Sequence, residues 1–477
     1  MGTTIDKLNK ILDTKEKIKE ALEEKVDTEV SDKFSSYPEM IGTLPSKVKS
    51  KVTGTLSGLF NKDERIQSID LRGWDLSGVT DVTSLFNSSS LTYANLSGLR
   101  LNVTGISQLF YRSTALEEVD VTNFVSNTLT SITVPFMGCT SLKKIIGLET
   151  WDVSNVTSMY SAFEGCSSLE ELDLSAWDVS KCTGFTAMLS NCTGLKKLNL
   201  SGWPVTAVYS SIAGSPGLSE ETELDELILR DVKDVQTGIQ ILPSCTIKVL
   251  DVTGMTIAEN NGIGSSGLFN NRSGLHKIVG LDTITKIPVN GNLYYLFGNC
   301  SNLESIEGIE NWDVSDVIML TNVFMNCPKV KEINVANWDV SNVTVCGGVV
   351  GYMESLEKLD VSNWQVNCIT YQAVNTNYWF VKSTPKLSTI IFGEGWGKCD
   401  AAEHGSGLDL SECNSSGNDT YAAYQLADKT FSSMLKMYDR KANGLTSTFI
   451  ILLNSKTTIP DGWAAKMEAK GYTITIV

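Results

Sequence analysis

A tryptophan recurs at a fixed interval along the middle of the chain. Two runs of three tryptophans keep a step of 26 residues: Trp151, Trp177 and Trp203, and then Trp312, Trp338 and Trp364. A fixed period in the twenties is the sequence signature of a solenoid, in which short coils stack on one another. A stack of coils offers long surfaces rather than a deep catalytic cleft, so this period bears on function as well as on fold.

The tryptophan slot can be followed through the 477-residue chain even where another residue occupies it. It is filled, in order, by Trp74, Leu99, Phe124, Trp151, Trp177, Trp203, Val232, Met255, Ile284, Trp312, Trp338, Trp364 and Trp396. We therefore predict about 13 coils over residues 51–400, less regular at the ends and between Val232 and Ile284. No coil can bury its own apolar face, so the tryptophans are predicted to pack between coils. A platform for ligand stacking is the alternative use of such rings.

Each coil divides into a strand, a corner and a return segment. Residues 169–174 alternate in polarity and predict a strand, with Leu169, Leu172 and Leu174 mostly inward. Val156–Phe163 carries apolar residues at helical steps and predicts one or two turns of helix. The fold class that follows is an α/β repeat solenoid.

Residues 1–50 precede the repeats and are predicted to be helical. Apolar residues recur at three- and four-residue steps along one face: Ile5, Leu8, Ile11, Leu12, Ile18 and Leu22. Phe34–Ile41 predicts a second small helix, with Pro38 near its start. An isolated helix of this length is marginal in water, so we expect the segment to serve attachment or self-association. An arm folded back on the repeats is the alternative.

Residues 401–477 break the repeat and predict a C-terminal α/β cap. A loop rich in Gly, Ser and Asn covers residues 404–419, followed by a helix over Gln425–Tyr438 and a strand over Ser447–Leu453. A second helix begins at Pro460, and a last strand covers Tyr472–Val477. A solenoid needs its final apolar face covered, and this segment stands in the position to do so.

The chain has 11 cysteines, and five of them share one position of the repeat: Cys139, Cys166, Cys192, Cys300 and Cys327. In other coils the same position holds Ser113, Ser215, Arg272 and Met353. We predict a small space-filling slot, since buried free thiols behave as small apolar groups. Disulfides or a metal ladder are the alternatives, although the sequence has no Cys-x-x-Cys pair and only two histidines.

Aspartates form two further columns of the repeat. One follows the tryptophan slot at Asp75, Asp152, Asp178, Asp313 and Asp339, and the other lies within the strand at Asp70, Asp120, Asp173, Asp251 and Asp360. Stacked carboxylates repel one another, so each needs a local partner. We expect the first column to accept backbone N–H bonds as Asx-turns. A calcium ladder is the alternative, since calcium binds carboxylate oxygens.

The sequence carries no familiar catalytic motif. His276 occupies a variable strand position, and His404 lies in the glycine-rich loop. No Gly-x-Ser-x-Gly, His-Glu-x-x-His or Walker loop occurs. A pair of carboxylates for glycoside cleavage is the one catalytic arrangement left open, but acids that recur in every coil belong first to the repeat. We therefore predict a non-enzymatic protein without cofactor or resident metal.

The net charge of −16 and the isoelectric point of about 4.7 argue against nucleic acid or an anionic membrane as a partner. No basic stretch followed by an apolar run opens the sequence, and no run of 18 apolar residues occurs, so neither a signal peptide nor a membrane span is predicted. We expect a protein that is made in a cytosol and leaves by another route, such as cell lysis.

One phrase of the repeat resembles a known family. Residues 163–180 read Phe-Glu-Gly-Cys-Ser-Ser-Leu-Glu-Glu-Leu-Asp-Leu-Ser-Ala-Trp-Asp-Val-Ser. This phrase resembles the BspA-type leucine-rich repeat and is close to the repeat of mycoplasma surface lipoproteins. The resemblance spans residues 51–400 and implies a leucine-rich-repeat array. Such repeats occur in bacterial surface adhesins and other extracellular binding proteins, so the resemblance implies binding without naming a ligand.

Both ends of the chain resemble a second group of proteins. Residues 3–19 and 34–41 are similar to N-terminal segments of virion appendage proteins in phages of gut bacteria. Residues 459–474 resemble the C-termini of related repeat proteins from the same sources. This resemblance implies a structural and binding protein of a phage particle, on a head or tail fibre. A bacterial surface adhesin is the alternative.

The resemblance also implies partners. Residues 1–50 would bind other virion proteins or sister copies, giving a homo-oligomer for which a trimer is one option. The repeats would contact a host surface protein or glycan. Exposed strand residues that differ between coils are the candidate contacts: Glu170, Glu171, Lys196 and Lys197.

Overall fold

The computed structural model describes most of the repeats and parts of the C-terminal region. The described residues are 53–62, 64, 66–124, 128–213, 217–235, 243, 245–257, 267–287, 291–343, 345–365, 381–382, 384–396, 406–409, 426, 428–437, 439–443, 449–453 and 457–476. The chain divides into two compact units, residues 1–228 with 242–245 and residues 229–241 with 246–477. The predicted N-terminal helices, Ser215 and His404 lie outside the described residues.

The first unit is built from short parallel strands. Their bounds are β1 (Thr53–Thr55), β2 (Ser68–Asp70), β3 (Gly78–Asp81), β4 (Tyr93–Asn95), β5 (Glu118–Asp120), β6 (Lys144–Ile146), β7 (Glu171–Asp173), β8 (Lys197–Asn199) and β9 (Glu223–Ile228). β1 pairs with β3, while β2, β4, β5 and β6 pair in that order, as do β7, β8 and β9. One such strand lies at the same place in each successive coil, which confirms the parallel solenoid.

The strand register explains the leucine pattern of the repeat. Leu172 of β7 faces Leu198 of β8, and both are buried. Leu169 and Leu174, on either side of Leu172, are buried as well, whereas Glu171 is exposed. The predicted inward leucines are thereby confirmed.

The return segment is not helical, which corrects the prediction for Val156–Phe163. Every second N–H bonds to the next coil: those of Met159, Ser161, Phe163 and Gly165 donate to the carbonyls of Gly184, Thr186, Met188 and Ser190 at 2.7–3.0 Å. Ser161 has φ of 48°, in the left-handed region, and the N–H groups of Ala162 and Glu164 make isolated turn bonds to Met159 and Ser161 rather than a continuous helix. The apolar spacing of Val156, Met159 and Phe163 is compatible with a helix and with this bent segment. The hydrogen bonds to the neighbouring coil select the bent segment.

The glycine inserted at position 147 is required by the stacking of coils. Gly147 has φ of 93°, and a Cβ there would run into the backbone of Thr122 in the preceding coil. A single 3-10 turn, Leu148–Thr150, follows it and leads to buried Trp151. The first unit also contains α1 (Val205–Val208), continued by a π-helical turn at Tyr209–Ala213.

The interior of the first unit holds columns of aromatic rings. Phe60, Phe86, Phe110, Phe136 and Phe163 stack in sequence with centroid distances of 5.1–5.8 Å. Trp151 stacks on Trp177 at 6.2 Å. All thirteen residues of the tryptophan slot, in both units, are buried. Their packing role is therefore confirmed.

The second unit continues the same design with further parallel strands. These are β10 (Thr246–Asp251), β11 (Lys277–Val279), β12 (Gly291–Asn292), β13 (Val317–Thr321), β14 (Phe324–Met325), β15 (Glu332–Asn334), β16 (Val345–Gly347), β17 (Val350–Gly351), β18 (Lys358–Asp360), β19 (Val381–Lys382) and β20 (Thr389–Ile391). Trp312, Trp338, Trp364 and Trp396 form an unbroken stack at 6.1–6.5 Å. Turns of 3-10 helix at Leu281–Thr283 and Ile309–Asn311 follow left-handed glycines, as at Gly147.

The C-terminal region forms an α/β layer. It contains β21 (Ser406–Asp409), α2 (Asp428–Met434), β22 (Phe449–Leu453), α3 (Trp463–Ala469) and β23 (Tyr472–Ile476), with β22 between β21 and β23 in a parallel sheet. β22, α3 and β23 confirm the prediction. β21 lies where a loop was predicted, and α2 is shorter than predicted. No helix in the described part of the chain is long and apolar enough to cross a membrane.

Helix α2 closes the edge of the last repeat strand with two hydroxyl groups. Thr430 Oγ1 accepts from the N–H of Ile390 at 2.9 Å and donates to the carbonyl of Ser388. Ser433 Oγ accepts from the N–H of Phe392 at 3.0 Å, and it lies 3.1 Å from the carbonyl of Ile390. These two hydroxyl groups bond the backbone groups at the edge of β20 that a further strand would otherwise bond. Helix α2 therefore caps the last repeat strand, as predicted.

Candidate binding surface

The strand side of the first unit carries charges whose sign changes from coil to coil. The register places Glu118 beside Lys144, Glu171 beside Lys197, and Lys197 beside Glu226. The residues ahead of β5 and β6 follow the same rule, since Glu117 pairs with Lys143 at 2.9 Å. Opposite charges side by side on neighbouring strands are mildly stabilising. The result is a surface that is densely charged and locally balanced.

All four candidate contact residues lie on this surface. Glu170, Glu171 and Lys197 are exposed, and Lys196 is half-buried. Lys197 forms an ion pair of 2.6 Å with Glu226, which raises the pKa of its ammonium group. Lys196 Nζ donates to the backbone carbonyl of Glu223 at 3.3 Å. The structure therefore places the four residues side by side on two adjacent coils, where one partner could contact them together.

The strand side of the second unit keeps the alternation in part. Glu332 of β15 lies beside Lys358 of β18. His276 Nδ1 lies 3.3 Å from Glu304 Oε1, and both side chains are exposed. His276 is therefore the exposed strand-side residue that the sequence predicted.

Both columns of aspartates are turn caps. In the first column Asp75, Asp152, Asp178, Asp313 and Asp339 each accept the N–H of the residue two positions ahead, at 3.0–3.1 Å. In the second column Asp70, Asp120, Asp173, Asp251 and Asp360 do the same, also at 3.0–3.1 Å. The predicted Asx-turns are confirmed in the first column and extend to the second.

These bonds also lower the pKa of Asp173, Asp178, Asp251 and Asp313. The hydroxyl and N–H of Ser180 lower the pKa of Asp178, and those of Ser315 do so for Asp313. Partial burial raises the pKa of Asp173, but bonds from Ser175 and Asn199 outweigh it, so its pKa is lowered. Within the described residues no group of three or more His, Cys, Asp or Glu side chains is placed to hold a metal ion.

The cysteine slot is a hydrogen-bond donor position. Cys139, Cys166, Cys192, Cys300 and Cys327 are buried and free, and each Sγ lies 2.9–3.2 Å from the carbonyl of the column phenylalanine one coil earlier. Ser113 makes the same bond to Phe86 at 2.7 Å. A small side chain with a donor is what the five Cys coils and the Ser113 coil share, and the space-filling prediction missed the donor; Met353 fills the same position without one.

The tryptophan slot has the same second role. The indole N–H of Trp177 donates to the carbonyl of Leu148 at 2.8 Å, and that of Trp338 donates to the carbonyl of Ile309 at 2.6 Å. Trp151, Trp203, Trp312, Trp364 and Trp396 bond to the preceding coil in the same way. A ring that is buried and bonded on its one polar atom is not a platform for a ligand.

Two exposed tyrosines of the first unit were missed by the sequence reasoning. Tyr160 and Tyr209 are 47% and 43% exposed. Tyr160 lies on the return side, at the coil position where neighbouring coils have Thr133 and Thr186. The sequence signal for Tyr160 is a large aromatic residue at a repeat position where the neighbouring coils have threonine. Exposed tyrosines favour contacts with partners.

Strands stacked in parallel, inward leucines and an alternating outer surface define a solenoid of the leucine-rich-repeat class. The family described as "Mycoplasma protein of unknown function, DUF285" matches residues 14–116, 54–146, 104–214 and 291–384, which together exceed half of the chain. The chain belongs to this family. No curated protein matches the chain.

Solved structures that the chain is similar to include two bacterial repeat proteins. A leucine-rich repeat protein from Bacteroides ovatus is 14% identical, with 78% of this chain and 94% of that one covered and a TM-score of 0.23. A leucine-rich cell surface protein from Faecalibacterium prausnitzii is 16% identical, with 66% and 92% covered and a TM-score of 0.17. The mouse RP105/MD-1 complex contains a chain that is 13% identical, with 88% and 90% covered and a TM-score of 0.20.

Proposed function

We propose that this protein is a non-enzymatic structural and binding protein of a phage particle, carried on a head or tail fibre. The repeats face outward and contact a host surface protein or glycan through the strand side. The observation that carries the binding role is the contrast between an interior of recurring stacked rings and coil-to-coil hydrogen bonds and an exposed strand side whose charges change from coil to coil. The resemblance of both chain ends to virion appendage proteins supports the location.

The contact is assigned to the four-residue set Glu170, Glu171, Lys196 and Lys197. Their charges already balance one another, so a partner gains little from net attraction and must match the pattern of signs. Weak contacts of this kind become effective when many copies act together. Binding is therefore expected to depend on the arrangement of charges more than on their number.

A charge-exchange variant tests the binding role. It carries Glu170→Lys, Glu171→Lys, Lys196→Glu and Lys197→Glu, which reverses the pattern and preserves the net charge. We expect it to lose at least about tenfold in host-cell binding measured by flow cytometry, which corresponds to about 1.4 kcal/mol. The matched control, Glu149→Lys with Lys181→Glu, reverses two exposed charges of the same unit outside its strands and should bind as the native protein does. Equal binding by both variants would refute the assigned contact.

The virion location has its own test. Mass spectrometry of purified particles should find the protein, and antibodies to the repeats should label a head or tail fibre in electron micrographs. Absence from particles, together with recovery from the surface of uninfected bacteria, would favour the second candidate. That candidate is a bacterial surface adhesin, and it is supported by the resemblance of residues 163–180 to the BspA-type repeat.

The attachment role of residues 1–50 is tested by mass in solution. We propose that these residues join the protein to sister copies or to another virion protein. The full chain should then have a higher mass than a chain lacking residues 1–50. Monomers in both cases would rule out self-association.

Incubation with a panel of host polysaccharides tests the non-enzymatic assignment, and cleavage that disappears on mutating one acid pair would overturn it.

A further inference from the structure

Four successive coils of the first unit are joined in register on the return side. We call the surface that they form the return face, and it consists of residues 104–108, 130–134, 157–161 and 183–187. Parallel bridges connect the second residue of each segment to that of the next: Gly105, Ser131, Ser158 and Gly184. Side chains at equal positions of these coils therefore lie in columns that cross the return face.

One column of the return face consists of exposed threonines: Thr104, Thr130, Thr157 and Thr183. The hydroxyl of Thr130 donates to the carbonyl of Thr104 at 2.9 Å, and that of Thr157 donates to the carbonyl of Thr130 at 3.4 Å. A hydroxyl whose one hydrogen is bonded to the backbone can only accept from a ligand, because its oxygen keeps lone pairs. The column thus presents acceptors that are held in place before a ligand arrives.

The return face is uncharged, in contrast to the strand side of the first unit. Its four segments contain no Asp, Glu, Lys, Arg or His. On the strand side Glu171 lies beside Lys197. In the coil ahead of the return face the position of Gly105 is held by Asp81, so the uncharged surface ends there. A charged ligand would lose hydration on this surface without gaining an opposite charge, which favours a neutral ligand.

One aromatic ring stands among these hydroxyl groups. Tyr160 is 47% exposed, and the neighbouring coils have Thr133 and Thr186 at its position. Its backbone is fixed on one side, since its carbonyl accepts the N–H of Val134 at 2.9 Å. The N–H of Ser161 bonds to the carbonyl of Thr186 at 3.0 Å and fixes the other side. The tyrosine therefore offers a flat apolar ring at a defined place on a surface of hydroxyl groups.

The backbone of the return face is not open to a partner strand. The N–H of Thr157 donates to the carbonyl of Thr130 at 2.9 Å, and its carbonyl accepts the N–H of Thr183 at 3.1 Å. A peptide that adds a strand needs a sheet edge with unbonded groups, and the middle coils have already bonded theirs. Recognition on this surface must therefore use the hydroxyl groups and the ring.

We propose that the return face binds a neutral polysaccharide. A sugar ring has an apolar face of C–H groups and hydroxyl groups around its edge. The apolar face stacks on Tyr160, and the hydroxyl groups of the sugar donate to the column of Thr130 and Thr157. The inference goes beyond the proposed function, which assigns the contact to the charged strand side, and it does not depend on the virion location.

Affinity electrophoresis of the full chain tests the proposal. Native gels contain dextran, yeast mannan, laminarin or galactan as neutral probes, and polygalacturonate as the acidic probe. The net charge of −16 carries the protein through the gel, and a neutral polysaccharide that binds it slows its migration. We expect at least one neutral probe to retard the protein and polygalacturonate to leave it unaffected. No retardation by any neutral probe, or stronger retardation by polygalacturonate, overturns the proposal.

Replacement of the ring locates the binding surface. Tyr160→Thr introduces the residue that the neighbouring coils already have, so the fold is kept. We expect the dissociation constant for the retarding polysaccharide to rise at least about tenfold, whereas Tyr160→Phe keeps the ring and should bind nearly as the native protein does. The matched control, Tyr352→Thr, removes a ring that is 44% exposed in the second unit, and it should leave binding unchanged. No loss in Tyr160→Thr, or an equal loss in the control, overturns the assignment.

A charge on the return face gives a second readout. Thr186→Glu places a carboxylate one coil from Tyr160 and should also weaken polysaccharide binding. The charge-exchange variant of the strand side should bind the polysaccharide as the native protein does. Loss of polysaccharide binding in the charge-exchange variant, with binding kept in Thr186→Glu, would place the polysaccharide on the strand side and overturn the proposal. Unchanged host-cell binding by the charge-exchange variant would refute the strand-side contact and leave the return face unaffected.

Discussion

Inside the coils of the first unit, the phenylalanine column keeps one kind of side chain from coil to coil, whereas on the strand side the charged residue changes sign from coil to coil. Phe86, Phe110 and Phe136 stack ring on ring within the interior. Over the neighbouring surface Glu171 is followed by Lys197 and Lys197 by Glu226. Each ring of this column must fit the same neighbour on both sides, so phenylalanine recurs there. Surface positions meet solvent and a partner, so they are free to vary.

This difference separates the residues that hold the fold from those that can carry recognition. Interior columns bury large rings, and the indole N–H and thiol groups bond to the preceding coil, so a change there should cost stability. The surface pairs are exposed, and exposed ion pairs contribute about 0–1 kcal/mol. Mutations in the two regions should therefore have opposite profiles, with large losses of stability inside and small ones outside.

Removal of one interior ring should have the largest effect. Trp177→Ala deletes a fully packed ring and its bond to Leu148, and we expect the free energy of unfolding to fall by about 3–5 kcal/mol. Urea unfolding followed by circular dichroism measures it. Trp177→Phe keeps most of the ring and should lose less than half as much. A loss below about 1 kcal/mol for Trp177→Ala would contradict the assigned packing role.

Loss of the donor in the cysteine slot should be the next largest effect. Cys166→Val replaces the thiol by a slightly larger apolar side chain and removes the thiol donor from the carbonyl of Phe136, which keeps the N–H of Cys139 as a donor; we expect a cost of about 0.5–1.5 kcal/mol. Cys166→Ser keeps a donor, as Ser113 does naturally, and should be better tolerated than Cys166→Val. The reverse order in urea unfolding would show that the slot selects volume rather than the donor.

The buried thiols should also make stability fall at alkaline pH. Burial raises the pKa of Cys139 and Cys192 from 9.0 to about 12. A group whose folded pKa is raised contributes stability that is present below the unfolded pKa and is lost as pH rises toward the folded one. Between about pH 9 and pH 12, each thiol should reduce the free energy of unfolding by up to about 1.4 kcal/mol per pH unit.

A serine variant isolates this contribution. Lysines and tyrosines titrate in the same range, so the native protein is compared with Cys139→Ser, Cys192→Ser. The variant should lose less stability than the native protein between pH 9 and pH 12, measured by urea unfolding at each pH. If the free energy of unfolding falls equally in both proteins over this pH range, the thiols are not shielded from solvent in the folded chain.

The interior could be predicted from the sequence further than the surface could. Trp151 and Trp177 recur because a buried slot restricts its occupant, and Asp178 recurs because it caps a repeated turn, so recurrence predicted the roles of all three. The return segment at Val156–Phe163 could not be predicted, because its apolar spacing suits a helix equally well and its N–H acceptors belong to another coil. The alternation of charge could be recognised only from the strand register, because Lys197 and Glu226 are neighbours in space but lie in successive coils of the sequence.

Exchange of one surface pair should have the smallest effect on stability and is the sharpest contrast with Trp177→Ala. Lys197→Glu places like charges beside Glu171 and Glu226, and we expect a loss of about 0.5–1 kcal/mol, reduced at high salt. The double exchange Lys197→Glu, Glu226→Lys restores the ion pair and should recover part of that loss while still altering the pattern that a partner meets. Host-cell binding that stays reduced after stability has recovered would show that recognition depends on the arrangement of these charges. Binding that recovers together with stability would place the partner elsewhere on the chain.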